Sequence, residues 1–200
     1  MSKLKLNHGF TLIEIIVSAS IVSIIMSVVF FNYSAFNDRL TLSAAGQEIA
    51  IAIRQAQTFG LSVKKSTTAS DQFASGYGIV FDIVNSPNNY YVFVDTDGNK
   101  KYDVGSGCGS ISTECVEKFT LRNGITVSDL CNATTCPPSG STKMMDVVFL
   151  RPKPDALIYF TDSSGNILSG PLTTGKVVLR SPKNNTLTVT VESTGQILVQ

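Results

Sequence analysis

The stretch Gly9–Phe31 reads GFTLIEIIVSASIVSIIMSVVFF. From Phe10 onward it holds no Lys or Arg, and Glu14 is its single charge. About 22 residues at about 1.5 Å rise make a helix of roughly 33 Å, enough for the hydrocarbon core of a bilayer. Lipid offers the backbone no hydrogen-bonding partner, so helix is imposed despite the many Ile and Val residues. A carboxylate at the bilayer centre costs about 2.5–3.5 kcal/mol. Glu14 lies only about one turn inside the run, where that cost is lower. It still needs a reason to be there.

The flanks set an orientation. Lys3 and Lys5 precede the run, and the next basic residue is Arg39. A basic N-terminus before a membrane segment predicts that this end stays in the cytoplasm and the remainder lies outside it. A cleaved secretory signal is the alternative, with Ser18-Ala19-Ser20 as the small-residue cut site. The apolar run continues past that point, however, and a cut there would leave a greasy mature N-terminus.

A plain anchor explains neither Gly9 nor Glu14. The order of short basic leader, Gly9, Phe10, Glu14 and apolar helix closely resembles the processing motif of type IV prepilins, shared by type IV pilins and type II secretion pseudopilins. The resemblance implies that a prepilin peptidase cuts between Gly9 and Phe10 and that Phe10 becomes the N-methylated terminus. Glu14 matches the family's acidic residue at the fifth mature position. Cleavage creates an ammonium at Phe10, and in a bundle of such helices Glu14 meets the Phe10 amine of an adjacent subunit. An ion pair in low dielectric is steeply distance-dependent, so it sets the axial register between neighbours. The competing role for Glu14 is snorkelling to the headgroups.

Beyond the run, Leu42, Ala45, Ile49, Ala52, Ile53, Ala56 and Phe59 recur at three- and four-residue steps. That spacing predicts an amphipathic continuation of the same helix, from about Phe10 to Lys64, with Gly46 and Gly60 as weak points. After Thr67 the chain turns β-rich, with GYGIVFDI at Gly76–Ile83, YYVFVD at Tyr90–Asp95, EKFTL near Phe119, DVVFL at Asp146–Leu150, ALIYFT, KVVLR and LTVTVES. The stretch between them that carries the cysteines reads as loop-rich. Thr194-Gly195 ahead of QILVQ predicts a closing hairpin.

Helix first and antiparallel strands after it give an α+β class. The expected boundaries are a leader at 1–9, a membrane or filament-core helix at 10–31, its amphipathic continuation at 32–65, and an extracytoplasmic β-rich domain at 66–200. This layout is similar to pilin architecture. Within the family, EIAIAIRQAQ at Glu48–Gln57 and the β-rich tail look like minor pilins and pseudopilins of the GspH/FimT type.

Four cysteines in an exported chain suggest disulfides. Three pairings are possible, and sequence proximity favours Cys108–Cys115 with Cys131–Cys136. Zinc is the rival, but the spacings lack a C-x2-C pair and no His is nearby. The segment Asp95–Asp103 alternates the oxygen ligands Asp95, Asp97, Asn99 and Asp103, as calcium would favour. Lys100 stands where an EF-hand needs Gly, and Ser106 where it needs Glu, so a polar turn cornered at Asp97-Gly98 is the preferred reading.

The single His, His8, lies in the leader. No G-x-S-x-G or Walker motif is present, so an enzyme is not expected. Arg151, Lys153, Lys176, Arg180 and Lys183 are diluted by Asp146, Asp155, Asp162 and Glu192, so nucleic acid is not an expected partner. The expected partners are other pilin-like subunits, the prepilin peptidase and the membrane. The function these residues imply is a subunit of a pilus or pseudopilus. The alternative is a membrane-anchored extracytoplasmic binding module that never polymerises, with DNA or calcium as its ligand.

Overall fold

The computed structural model describes residues 9–62, 76–103, 108, 114–136 and 142–200. The leader, apart from Gly9, and the expected helix end at residues 63–65 lie outside them. Helix α1 runs Leu12–Leu61, and the chain divides into two compact units at Arg39/Leu40.

In the first unit the helix is bare. Its most apolar window has a mean hydropathy of 2.5, and none of that window is buried. The serines within it need no water: the Ser18, Ser20 and Ser27 hydroxyls donate to the carbonyls of Glu14, Ile16 and Ser23, each at 2.8 Å. A hydroxyl that bonds back to its own helix is compatible with lipid. The helix start falls at Leu12, two residues later than the apolar run suggests, because Thr11 caps it.

The second unit contains two antiparallel sheets. The six-stranded sheet is ordered β3-β2-β1-β5-β6-β7, with β1 at Gly76–Asp82, β2 at Asn89–Asp95, β3 at Cys115–Thr120, β5 at Met144–Phe149, β6 at Ala156–Thr161 and β7 at Ile167–Leu172. The four-stranded sheet is ordered β10-β9-β8-β4, with β4 at Thr126–Cys131, β8 at Thr174–Arg180, β9 at Thr186–Glu192 and β10 at Ile197–Val199. The expected hairpin closes the chain: Ile197 pairs with Val191 and Val199 with Val189.

The main core joins the helix stripe to both sheets. Leu42, Ala45, Ile49, Ala52, Ile53 and Ala56 are buried with Ile79, Phe81, Val147 and Phe149 from one sheet and Leu130, Val177, Val189 and Val191 from the other. Strand β5 is buried along its whole length. Its other face meets a second, smaller cluster in which Val80, Phe93, Met144 and Val148 pack with Tyr102 and Cys115. The loop after β2 therefore covers the outer face of the six-stranded sheet.

Two glycines that read as helix weak points are close-approach positions instead. A Cβ on Gly46 would come 2.5 Å from Leu187 Cδ2, and one on Gly60 would come 2.6 Å from the Phe149 carbonyl oxygen. The first obstacle is the flexible end of a side chain, and the second is backbone. Two strands fall outside the β-rich segments singled out above: β4, within the loop-rich stretch, and β7, which holds Gly170-Pro171.

Gly60→Ala should cost about 1–3 kcal/mol of domain stability, because overpacking against backbone outweighs the helix-propensity gain of about 1 kcal/mol. Gly46→Ala should lie closer to neutral. Urea unfolding followed by the near-ultraviolet signal of the buried aromatics checks both.

Candidate functional site at the start of the apolar helix

Helix α1 opens on Thr11-Leu12-Ile13-Glu14. The Glu14 backbone N–H donates to Thr11 Oγ1 at 3.3 Å, and the Ile15 N–H donates to the Thr11 carbonyl at 3.3 Å. Thr11 is thus the N-cap and Glu14 the third helical residue, the spacing of a Thr-x-x-Glu capping box. Phe10 falls just before the cap and Ile15 at the fourth helical position, as in a hydrophobic staple. The negative side chain sits in the first turn, where the helix dipole favours it.

The residues singled out from the sequence come together here. Phe10 is 81% exposed, and Gly9 and Glu14 are exposed as well. Phe10 and Glu14 line one shallow hollow with Ile15, Ser18, Ala19 and Val22. A Cβ added to Gly9 would meet nothing within 4 Å. The sequence pattern did not single out Thr11, although its hydroxyl three residues before Glu14 was the available signal.

The cysteines pair as Cys108–Cys115 and Cys131–Cys136, at Cα separations of 4.7 and 4.4 Å. Cys115 opens β3 and Cys131 ends β4, so each bridge ties a loop to a strand end.

The acidic segment after β2 behaves as a self-bonded turn. Asp95 accepts from the Gly98 and Lys100 N–H groups at 2.9 and 3.1 Å. Asp97 accepts from the Asn99 N–H and side-chain amide, and Asp103 accepts from that amide and pairs with Lys101 at 3.3 Å. The carboxylates that lie close enough to share one ion are Asp95, Asp97 and Glu114, a different set from the alternating one. Glu114 accepts from the Thr96 N–H and hydroxyl and from the Asp103 N–H, at 2.9, 3.0 and 2.9 Å.

Asp146 is a correction to the surface reading of the charges. It is 1% exposed, in mid-β5. It accepts from the Tyr102 N–H at 2.9 Å and the Thr161 hydroxyl at 3.0 Å. Burial drives its carboxyl up from the usual 3.8 to about 7, against those bonds and the Lys101 charge, with Glu114 adding repulsion. Burial also raises Asp95 and Glu114. Among the basic residues once grouped together, Arg180 pairs with Asp129 at 3.8 Å on the surface.

With this geometry established, the class follows: a protein whose bare apolar N-terminal helix continues into a disulfide-bonded domain of two β-sheets. Residues 4–30 match the family model of the prokaryotic N-terminal methylation motif. No curated protein and no solved structure gave a match to the chain. The motif, ahead of a long helix and antiparallel sheets, supports a type IV pilin-like precursor of the kind that prepilin peptidase processes, and proteins with that motif form a structural class. They fit a single-pass membrane precursor.

The pH dependence of the domain should carry the sign of Asp146. Its folded value lies above its unfolded one, so the stability linked to its proton is fully present below about pH 4 and lost as pH rises through about 7. Asp146→Asn keeps an acceptor for the Tyr102 N–H and offers an amide N–H to the Thr161 hydroxyl, which then accepts instead of donating. It should flatten the loss between about pH 4 and pH 8 by on the order of 2–4 kcal/mol, as read by thermal unfolding across that range. Asp95 and Glu114 shift in the same direction, so a residual slope should persist.

Proposed function

We propose that this chain is a filament subunit of a type IV pilus or a type II secretion pseudopilus. The precursor sits in the cytoplasmic membrane with Lys3 and Lys5 inside and the β-rich domain outside. Prepilin peptidase cuts between Gly9 and Phe10, and Phe10 is N-methylated. The helix then leaves lipid for a bundle of identical or related helices, where Glu14 pairs with the Phe10 ammonium of a neighbour. The β-sheets and their disulfide-tied loops set contacts with other subunits. A minor subunit of the GspH/FimT type is the finer reading.

The observation that carries this proposal is the conjunction at the helix start. The methylation motif covers residues 4–30, and Phe10 and Glu14 share one exposed hollow on a helix that has no protein cover of its own. A carboxylate there is best explained by a partner that arrives from outside the chain.

Mass spectrometry of membrane-purified material should find a mature chain beginning at methylated Phe10. An intact leader would argue for a static anchor. Glu14→Ala should abolish incorporation into filaments while leaving membrane insertion intact. Normal assembly of that variant would remove the register role.

A further inference from the structure

We infer that Thr11 is a positioning residue for leader removal: its hydroxyl stops α1 short of the Gly9–Phe10 peptide and keeps that bond open to hydrolysis. The inference rests on the processing reading above and adds to it a residue that the reading does not use.

One N–H group decides where the helix begins. In a continuous α-helix each N–H bonds the carbonyl four residues back. Were α1 to extend upstream, the Glu14 N–H would take the Phe10 carbonyl, and the Ile13 N–H would next take the Gly9 carbonyl, which is the scissile one. The structure shows the Glu14 N–H given to Thr11 Oγ1 instead, at 3.3 Å. The first helical bond is then the one from the Ile15 N–H to the Thr11 carbonyl. The cap therefore competes for the donor that would carry the helix toward the cleavage site. Helix growth onto an existing helix is easy, because only nucleation is costly, so an apolar run in lipid without such a stop would tend to lengthen.

The surroundings of the bond agree. Gly9 and Phe10 lie outside the helix and are exposed, and Gly9 has open space around its α-carbon. Hydrolysis there adds water across the Gly9 C–Phe10 N bond. The water oxygen goes to the Gly9 carbonyl carbon, giving a carboxylate, and both water protons end on the Phe10 nitrogen, giving the ammonium. A peptide wound into a helical turn is a poorer target for that attack than one outside the helix, because its packed backbone leaves an enzyme less access and its carbonyl oxygen is already occupied when the enzyme's own donors need it.

The experiment uses the full-length precursor in phospholipid vesicles with purified prepilin peptidase. It reads the initial rate of leader release together with hydrogen exchange at the Ile13 and Glu14 amides. Thr11→Val keeps the branched shape and loses the acceptor. It should slow cleavage about three- to tenfold and protect the Ile13 amide more than in the parent, while the Glu14 amide passes from the cap to the Phe10 carbonyl and stays protected. Thr11→Ser and Thr11→Asn both retain a capping oxygen and should stay within about twofold of the parent. Parental rates in Thr11→Val, despite new protection at Ile13, would overturn the inference, and so would an Ile13 amide no better protected than in the parent. Thr11→Asn as slow as Thr11→Val would also overturn it, since the peptidase would then be reading the hydroxyl itself. A parent precursor left whole by the enzyme would overturn the processing reading together with this one, whereas a cleaved parent with unaffected variants would overturn this one alone.

Discussion

Between Phe10 and Phe30 the large apolar side chains of α1 point outward, and the described part of the chain supplies nothing to cover them. Apolar surface of that extent is unfavourable in water, and backbone polar groups are unfavourable in lipid unless they are bonded internally. The helix meets the second condition by itself, down to the serine hydroxyls that bond back to its carbonyls. The first condition can be met only by something outside the chain. Lipid meets it for the precursor, and other apolar helices can meet it equally well. Under the proposed function, the same surface would serve as membrane anchor and as assembly element without any change in fold.

The domain beyond Leu40 follows a different logic. There the helix presents one stripe, Leu42 to Ala56, and the chain's own sheets cover it. On the outer face of β5, Tyr102 is the residue of the described part of the loop after β2 that joins the apolar cluster. Buried carboxylates take the place of apolar contacts. Asp95 holds the Gly98 and Lys100 N–H groups, Glu114 holds those of Thr96 and Asp103, and Asp146 holds that of Tyr102. A loop fixed in this way is specific in shape, but it leaves acidic groups where burial opposes their ionisation.

The helix stripe was legible in the sequence because its period is strict and its residues are large. The two bridges were legible because the loops they close are short, and the β9–β10 hairpin because Thr-Gly divides two apolar alternations. Strand β4 was hidden by a shift in pairing between Val127 and Asp129 that breaks its alternation. Strand β7 was hidden by Pro171. A proline is tolerated there because β7 is the edge of its sheet, where a missing N–H breaks no ladder. Glu114 gave no signal, since its donors lie 11 to 18 residues away in sequence. Asp146 did give one. It is a lone carboxylate inside an apolar strand, the same anomaly that drew attention to Glu14.

Those two carboxylates pose one question and receive different answers. Asp146 is enclosed, and its partners come from neighbouring parts of the same domain, so a neutral amide could serve nearly as well. Glu14 is exposed at the helix start, and among the described residues the chain gives it only the first-turn dipole. A capping box accepts Gln as readily as Glu, so capping alone does not call for a charge. The helix dipole does prefer one, but by only about 0.3–1 kcal/mol at an exposed position. That is less than the cost of holding a carboxylate at the edge of an apolar span unless a cation is close by. A cation distinguishes acid from amide by charge, and under the proposed processing the ammonium of Phe10 on a neighbouring helix would supply that charge near the same depth.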